Sequence, residues 1–109
     1  MSSDVAEKRL LSMLSLAKKA GKLVTGEEGC EKAIQKGTAQ VVLVAVDASD
    51  NTKKKFNNKA AHYNVPIYSL FTKEVMAKQI GMQNRATIVV ADENFGDKIM
   101  SLIELRKGG

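Results

Sequence analysis

The 109-residue chain has no tryptophan and only one cysteine, one histidine and one proline. Each scarcity excludes something. A lone Cys30 can form no internal disulfide, so no covalent staple holds the fold, which suits a reducing compartment. One histidine and one cysteine give no zinc-binding pattern, and no cofactor is expected. His62 stands beside Tyr63 on a predicted helix and reads as a structural or surface residue rather than a general base. Cys30 falls on the apolar face of its helix, where a thiol is buried and inert. No Gly-x-Gly-x-x-Gly follows a predicted strand. The stretch Gly21-Lys-Leu-Val-Thr-Gly26 imitates the glycine spacing of a phosphate loop, but Glu27 follows where that loop needs lysine. No apolar run nears the ~20 residues that span a bilayer, and the N-terminus lacks the basic-then-apolar order of a signal peptide. The expectation is a cytoplasmic binding domain that is not an enzyme and has neither a small-molecule substrate nor a membrane partner.

What is present fits one globular domain over residues 1–109. The sequence is 44% hydrophobic and 27% charged, ample for a core without metals or disulfides. A net charge of +5 points toward polyanions, since lysines set against phosphates release counterions, although many basic proteins bind no nucleic acid.

Along the chain, Asp4 and Glu7 are spaced as a capping box. Behind them Leu10, Leu11, Leu14 and Ala17 repeat at helical spacing, and Gly21 is a natural stop. Lys22 to Thr25 is short and β-prone. Gly26 opens a second helix with Cys30, Ala33 and Ile34 on its core face, Glu27 and Glu28 in its first turn, and Gly37 at its end. Val41 to Val46 is apolar at every position, as in a strand covered on both faces. The turn from Asp47 to Asp50 supplies the cap of a third helix, on which Phe56, Ala60 and Tyr63 share a stripe. Asp47, Ser49 and Asp50 could also line a crevice at the strand's end. Lys53, Lys54, Lys55 and Lys59 lie largely off that stripe, as a solvated face or, where they meet a nucleic acid, as phosphate contacts that read no sequence. Val65 to Tyr68 is extended, with Pro66 better suited to an edge than to mid-sheet. Thr72 caps a fourth helix ending at Gly81, Ala86 to Ala91 is a second buried strand, and Asp92 caps a last helix facing inward with Phe95, Ile99, Leu102 and Ile103. Alternation of this kind, with short connections, builds a mainly parallel sheet with helices on both faces.

Two segments in this order, Ala17-Lys-Lys-Ala-Gly-Lys22 and Thr25-Gly-Glu-Glu-Gly-Cys-Glu-Lys32-Ala-Ile-Gln-Lys-Gly37, resemble the kink-turn-binding ribosomal protein family called L7Ae, which includes the L30e proteins. The likeness is strongest to its short bacterial members of the YlxQ type. It continues through the apolar strand with its Asp47-Ala-Ser turn and through Tyr63-Asn-Val-Pro-Ile-Tyr68. The resemblance implies an α/β fold, a three-layer α/β/α sandwich around a four-stranded mixed sheet. It also implies binding of structured RNA at kink-turns, sharp duplex bends flanked by sheared G·A pairs, with ribosomal RNA one possible source. Carried onto this chain, the RNA-binding positions are Lys22, the helix start Gly26, Glu27, Glu28 and Gly29, then Lys32, and the late loop with Gln83, Asn84 and Arg85. Glu28 and Gly29 replace the family's asparagine and glutamate, and the late loop is more polar than in many relatives.

The physical case for the helix start is that it presents unpaired amides and partial positive charge to phosphates or base acceptors. Gly26 and Gly29 would remove side chains that hold RNA away from that backbone. Glu28 could accept from guanine N1–H and N2–H, and Lys32 would reach phosphate. Against it, Glu27, Glu28 and Glu31 set three negative charges beside a polyanion. Glu27 and Glu28 could simply complement the helix dipole, with Glu28 and Lys32 an i,i+4 pair. Arg85 could stack on a base, bind phosphate or stand exposed. A protein–protein adaptor without RNA binding is the alternative reading. No exposed apolar stripe calls for an obligate dimer, so a monomer is expected.

Overall fold

The computed structural model describes residues 3–83 and 85–108. Five helices and four strands alternate along these residues: α1 (Ser3–Lys19), β1 (Leu23–Thr25), α2 (Glu27–Lys36), β2 (Val41–Val44), α3 (Asp50–His62), β3 (Ile67–Ser69), α4 (Lys73–Gln79), β4 (Thr87–Val90) and α5 (Glu93–Gly108). Every residue of β2 and β4 is buried, so the apolar run from Val41 and the largely apolar run from Ala86 became the two central strands, with Thr87 the one polar side chain among them. β1 and β3 are the edges, and Pro66 just ahead of β3 fits that place. α2 and α3 pack together across one face, while α1 packs along α5 and touches α4 on the other. The core lies between the layers, with Leu10, Leu14, Ile34, Phe56, Met76, Ile99 and Ile103 buried from the helices.

The mainly parallel sheet expected from simple alternation is corrected. The order is β1-β4-β2-β3, and only β2 and β3 run parallel, while β4 lies antiparallel to both β1 and β2. The physical reason lies in the third connection. α2 and α3 each carry the chain back along the sheet, as a parallel crossover requires. α4, only seven residues long, leaves it at the end where β3 stopped. There the Ala45 amide donates to the Ala86 carbonyl and the Val46 amide to the Phe71 carbonyl, each at 2.8 Å. β4 must therefore start where β2 and β3 finish. The sheet is mixed, as the family resemblance implied.

Local readings held in most places. Ser49 caps α3 by accepting from the Thr52 amide at 3.1 Å, Thr72 caps α4 through Val75 at 3.2 Å, and Asp92 accepts from the Phe95 amide at 2.9 Å. Gly37 adopts the left-handed conformation that ends α2, with φ 81°. Four details differ. Asp4 lies inside the first turn of α1, not before it. Val46 falls beyond β2 and is 46% exposed, because the strand ends at Val44. Tyr63 follows the last residue of α3 and is exposed, with the His62 ring edge-on to it at 4.8 Å. Lys55 and Lys59, expected on a solvated face, point across to α2 and are ion-paired there.

Candidate nucleic-acid interface

β1, β2 and β3 all finish at one end of the sheet, and β4 starts there. That end gathers the start of α2, the turn after β2, α4 and the loop ahead of β4. Gly26 links β1 to α2 with φ 85° and ψ 150°, a backbone region essentially closed to residues with a Cβ. It has no side chain to cap the helix, and the first α-helical amide bond is that of Cys30 to the Gly26 carbonyl, at 3.0 Å. The amides of Glu27, Glu28 and Gly29 thus have no side-chain cap, at the positive end of a ten-residue helix. Space beside Gly26 is open: a Cβ built there meets nothing within 4 Å.

Gly29 plays a different part from the one expected. A Cβ there would come within 3.1 Å of the Val24 Cγ1, so its missing side chain serves the close approach of α2 to β1. Glu28 and Lys32 form the i,i+4 pair, at 3.2 Å, with side chains 85% and 63% exposed. Such a pair is worth about 0.3–0.5 kcal/mol, little enough for an incoming phosphate to displace.

The carboxylates of Glu27 and Glu31 are drawn sideways onto α3. Glu27 Oε1 accepts from the Thr52 hydroxyl at 2.9 Å and meets Lys55 Nζ at 3.4 Å. Glu31 meets Lys55 at 3.6 Å and Lys59 at 3.7 Å. Sequence reasoning missed this strap. Its signal was present as matched spacing, two acids four apart on one helix and two lysines four apart on the next.

The late loop closes against the same corner. The Thr25 hydroxyl donates to Met82 Sδ at 3.4 Å, tying the end of β1 to the loop. Gln83 is exposed and lines a surface hollow of ≈ 580 Å³ with Asp47, Lys73, Glu74, Ala77, Lys78 and Met82. Asp47 is a capping residue: its Oδ1 accepts from the Lys73 amide at 2.8 Å. Arg85 is half-buried, and its Nε finds no acceptor among the described residues. Its positive charge acts on the Cys30 thiol of α2, favouring the thiolate. Asn84 lies outside the described residues. Lys22 is not brought to this corner. It precedes β1, its carbonyl accepts from Ala91 beyond β4, and the three residues of β1 leave it four residue steps, roughly 13 Å, from Gly26 along the backbone.

Burial pushes the Cys30 thiol up from 9.0 to about 11, overriding the Thr87 hydroxyl and Arg85, which act the other way. The thiol donates to the Val24 carbonyl at 3.3 Å and keeps its proton. Because the folded value is raised, this stability is complete below pH 9 and lost as pH climbs toward 11. Two pH units correspond to about 2–3 kcal/mol. In urea melts, the advantage of the wild type over Cys30→Ala should shrink by most of that amount, about 2 kcal/mol, between pH 8 and pH 10.5. Parallel pH profiles for the two proteins would count against a protonated, buried thiol.

Comparison with known proteins joins these features to a family. The model of the Ribosomal protein L7Ae/L30e/S12e/Gadd45 family matches residues 8–101, nearly the whole chain. The chain belongs to that family. L7Ae-family relatives include the RNA-binding protein YlxQ of Enterococcus faecium, 40% identical over 96 residues, which cover 88% of this chain and 92% of that protein. They also include the RNA-binding protein YlxQ of Bacillus subtilis (strain 168), 37% identical over 84% of this chain and 92% of its own. Among solved structures, a protein of unknown function from Bacillus halodurans superposes with a TM-score of 0.84 at 37% identity, covering 87% of this chain and 96% of that one. The Giardia lamblia 15.5kD RNA binding protein superposes at 0.77 over 94% of this chain and 88% of its own, with 14% identity, a likeness of fold alone. The L7Ae-type fold expected from the sequence is therefore the fold observed.

Proposed function

We propose that the chain binds structured RNA of the kink-turn type at the corner formed by the start of α2 and the loop ahead of β4. One observation carries the reading: α2 begins with uncapped amides behind an open Gly26, and the loop holding Gln83 and Arg85 is tied to the same spot through Thr25 and Met82. Two relatives close in sequence bear the name RNA-binding protein, which supports an RNA partner here.

In this reading the amides take phosphate or base acceptors, that of Glu27 included while its carboxylate stays on α3 away from the RNA; Glu28 accepts from guanine edges opened by the bend, and Lys32 and Arg85 contact phosphate. Lys22, distant from the corner, reaches only a flanking duplex. No bond is made or broken. Kinked and extended RNA interconvert, and a monomeric protein that prefers the kinked form shifts the balance by its differential affinity. Such a clamp belongs with a larger RNA assembly in the cytoplasm, in or near translation. The test is a fluorescence-transfer titration of a kink-turn duplex labelled at both ends. Its end-to-end distance is expected to shorten on binding, while a straight duplex of equal length stays unchanged. No shortening, or equal retention of bent and straight RNA, would refute the reading.

A further inference from the structure

We propose that Lys55 is a positioning residue for this site: it holds the Glu27 carboxylate against α3 and thereby keeps the first turn of α2 open to an anion. The inference rests on the RNA-binding reading above. It starts from an electrostatic contradiction in the sequence, which sets Glu27 and Glu31 on the helix offered to a polyanion. A carboxylate on the first residue of a helix is attracted to that helix's own free amides. There it would occupy the place of a phosphate and repel one that approached.

The structure shows the carboxylate held elsewhere. Thr52 donates to Glu27 at 2.9 Å and Lys55 sits 3.4 Å from the same oxygen. Lys55 also meets Glu31 at 3.6 Å, and Lys59 covers the other oxygen of Glu31 at 3.7 Å. Two lysines thus neutralise two acids and fix where their oxygens point. Thr52 is itself held, because its amide and its hydroxyl both meet the Ser49 cap, at 3.1 and 2.9 Å. The α3 cap and the α2 start therefore form one connected arrangement. Without Lys55, Glu27 retains a single neutral partner and regains a full charge beside its own helix start.

A positioning lysine behaves differently from a lysine that touches RNA directly. A direct phosphate contact, once removed, lowers the salt slope of log K by about 0.7–0.9, and no change at Glu27 restores it. A positioning residue leaves the slope near its original value, and its loss is repaired by removing the charge it was holding. The experiment titrates a kink-turn RNA duplex with wild type, Lys55→Gln, Glu27→Gln/Lys55→Gln and Lys55→Arg across a salt series. Thermal melts confirm that each variant folds, since exposed ion pairs contribute little to stability. Lys55→Gln is expected to weaken binding about five- to tenfold with little change of slope. The double variant should return to within about twofold of wild type, and Lys55→Arg should stay there. Unchanged affinity in Lys55→Gln, or a loss that Glu27→Gln fails to repair, would overturn the inference and leave the RNA reading standing. Failure of the wild type itself to bind the duplex would overturn both.

Discussion

Truncating Phe56 to alanine is expected to lower the unfolding free energy by about 3–5 kcal/mol, a large share of the ~5–15 kcal/mol that holds a domain of this size. The ring is fully buried, and with Ala60 it forms the buried face of α3. Ala60 is too small to replace what is lost, so the attachment of α3 to β2 depends mainly on this one side chain. The consequence extends to the site. Thr52 and Lys55 precede Phe56 on the same helix, and Lys55 Nζ lies 5.7 Å from the centre of its ring. A helix that loosens here releases Glu27 and Glu31 as well. Urea titration reads the stability change, and hydrogen exchange on the α3 amides should show that helix opening more readily than β2 or β4. A loss under about 1 kcal/mol would mean that α3 is held by something other than its core ring.

The division between what the sequence revealed and what it hid follows the range of the interactions. Helix spacing, caps and buried runs act within a few residues, so Cys30, Ala33 and Ile34 on one face and the Thr72 and Asp92 caps could be read directly, and the α3 cap could be narrowed to the turn from Asp47 to Asp50. The place of β4 between β1 and β2 depends on partners dozens of residues apart, and nothing in Ala86 to Ala91 marks its direction. Phe71 at φ 60° is another long-range product. A bulky residue in the left-handed region is held there by its neighbours, its carbonyl accepting from Val46 and its ring lying 5.8 Å from the Arg106 guanidinium. The candidate site divides in the same way. The resemblance pointed to Gly26 through Lys32, a single helix start that folds as one piece. Lys22 looked close to that start in sequence, but an extended strand carries it to the far end of the sheet. The partners of Glu27 lie 25 and 28 residues away on α3, and only the packing of two helices brings them together.

Gly26 and Gly29 look alike in sequence, and their replacement should separate them sharply. Gly26→Ala is expected to cost about 1–3 kcal/mol of stability, because φ 85° with ψ 150° is a backbone state that a Cβ disfavours on its own account. Crowding contributes nothing, since the added carbon meets open space. The chain can relieve the strain only by rotating the link between β1 and α2, which re-aims the amides of Glu27 and Glu28. RNA affinity should then fall by roughly tenfold or more, equal to the ~1.4 kcal/mol that a misplaced helix start readily loses. Gly29→Ala differs in both respects. Its Cβ would press the Val24 Cγ1 at 3.1 Å, a side-chain atom able to give by a few tenths of an ångström. Alanine also returns about 0.8–1.0 kcal/mol of helix propensity. Its stability should stay near that of the wild type and its RNA affinity within a small factor. Paired urea melts and RNA titrations of the two variants decide the matter. Wild-type behaviour in Gly26→Ala would show that the first turn binds nothing through its backbone. Equal losses in both variants would mean that RNA needs the space beside both glycines and not one particular backbone conformation at the first.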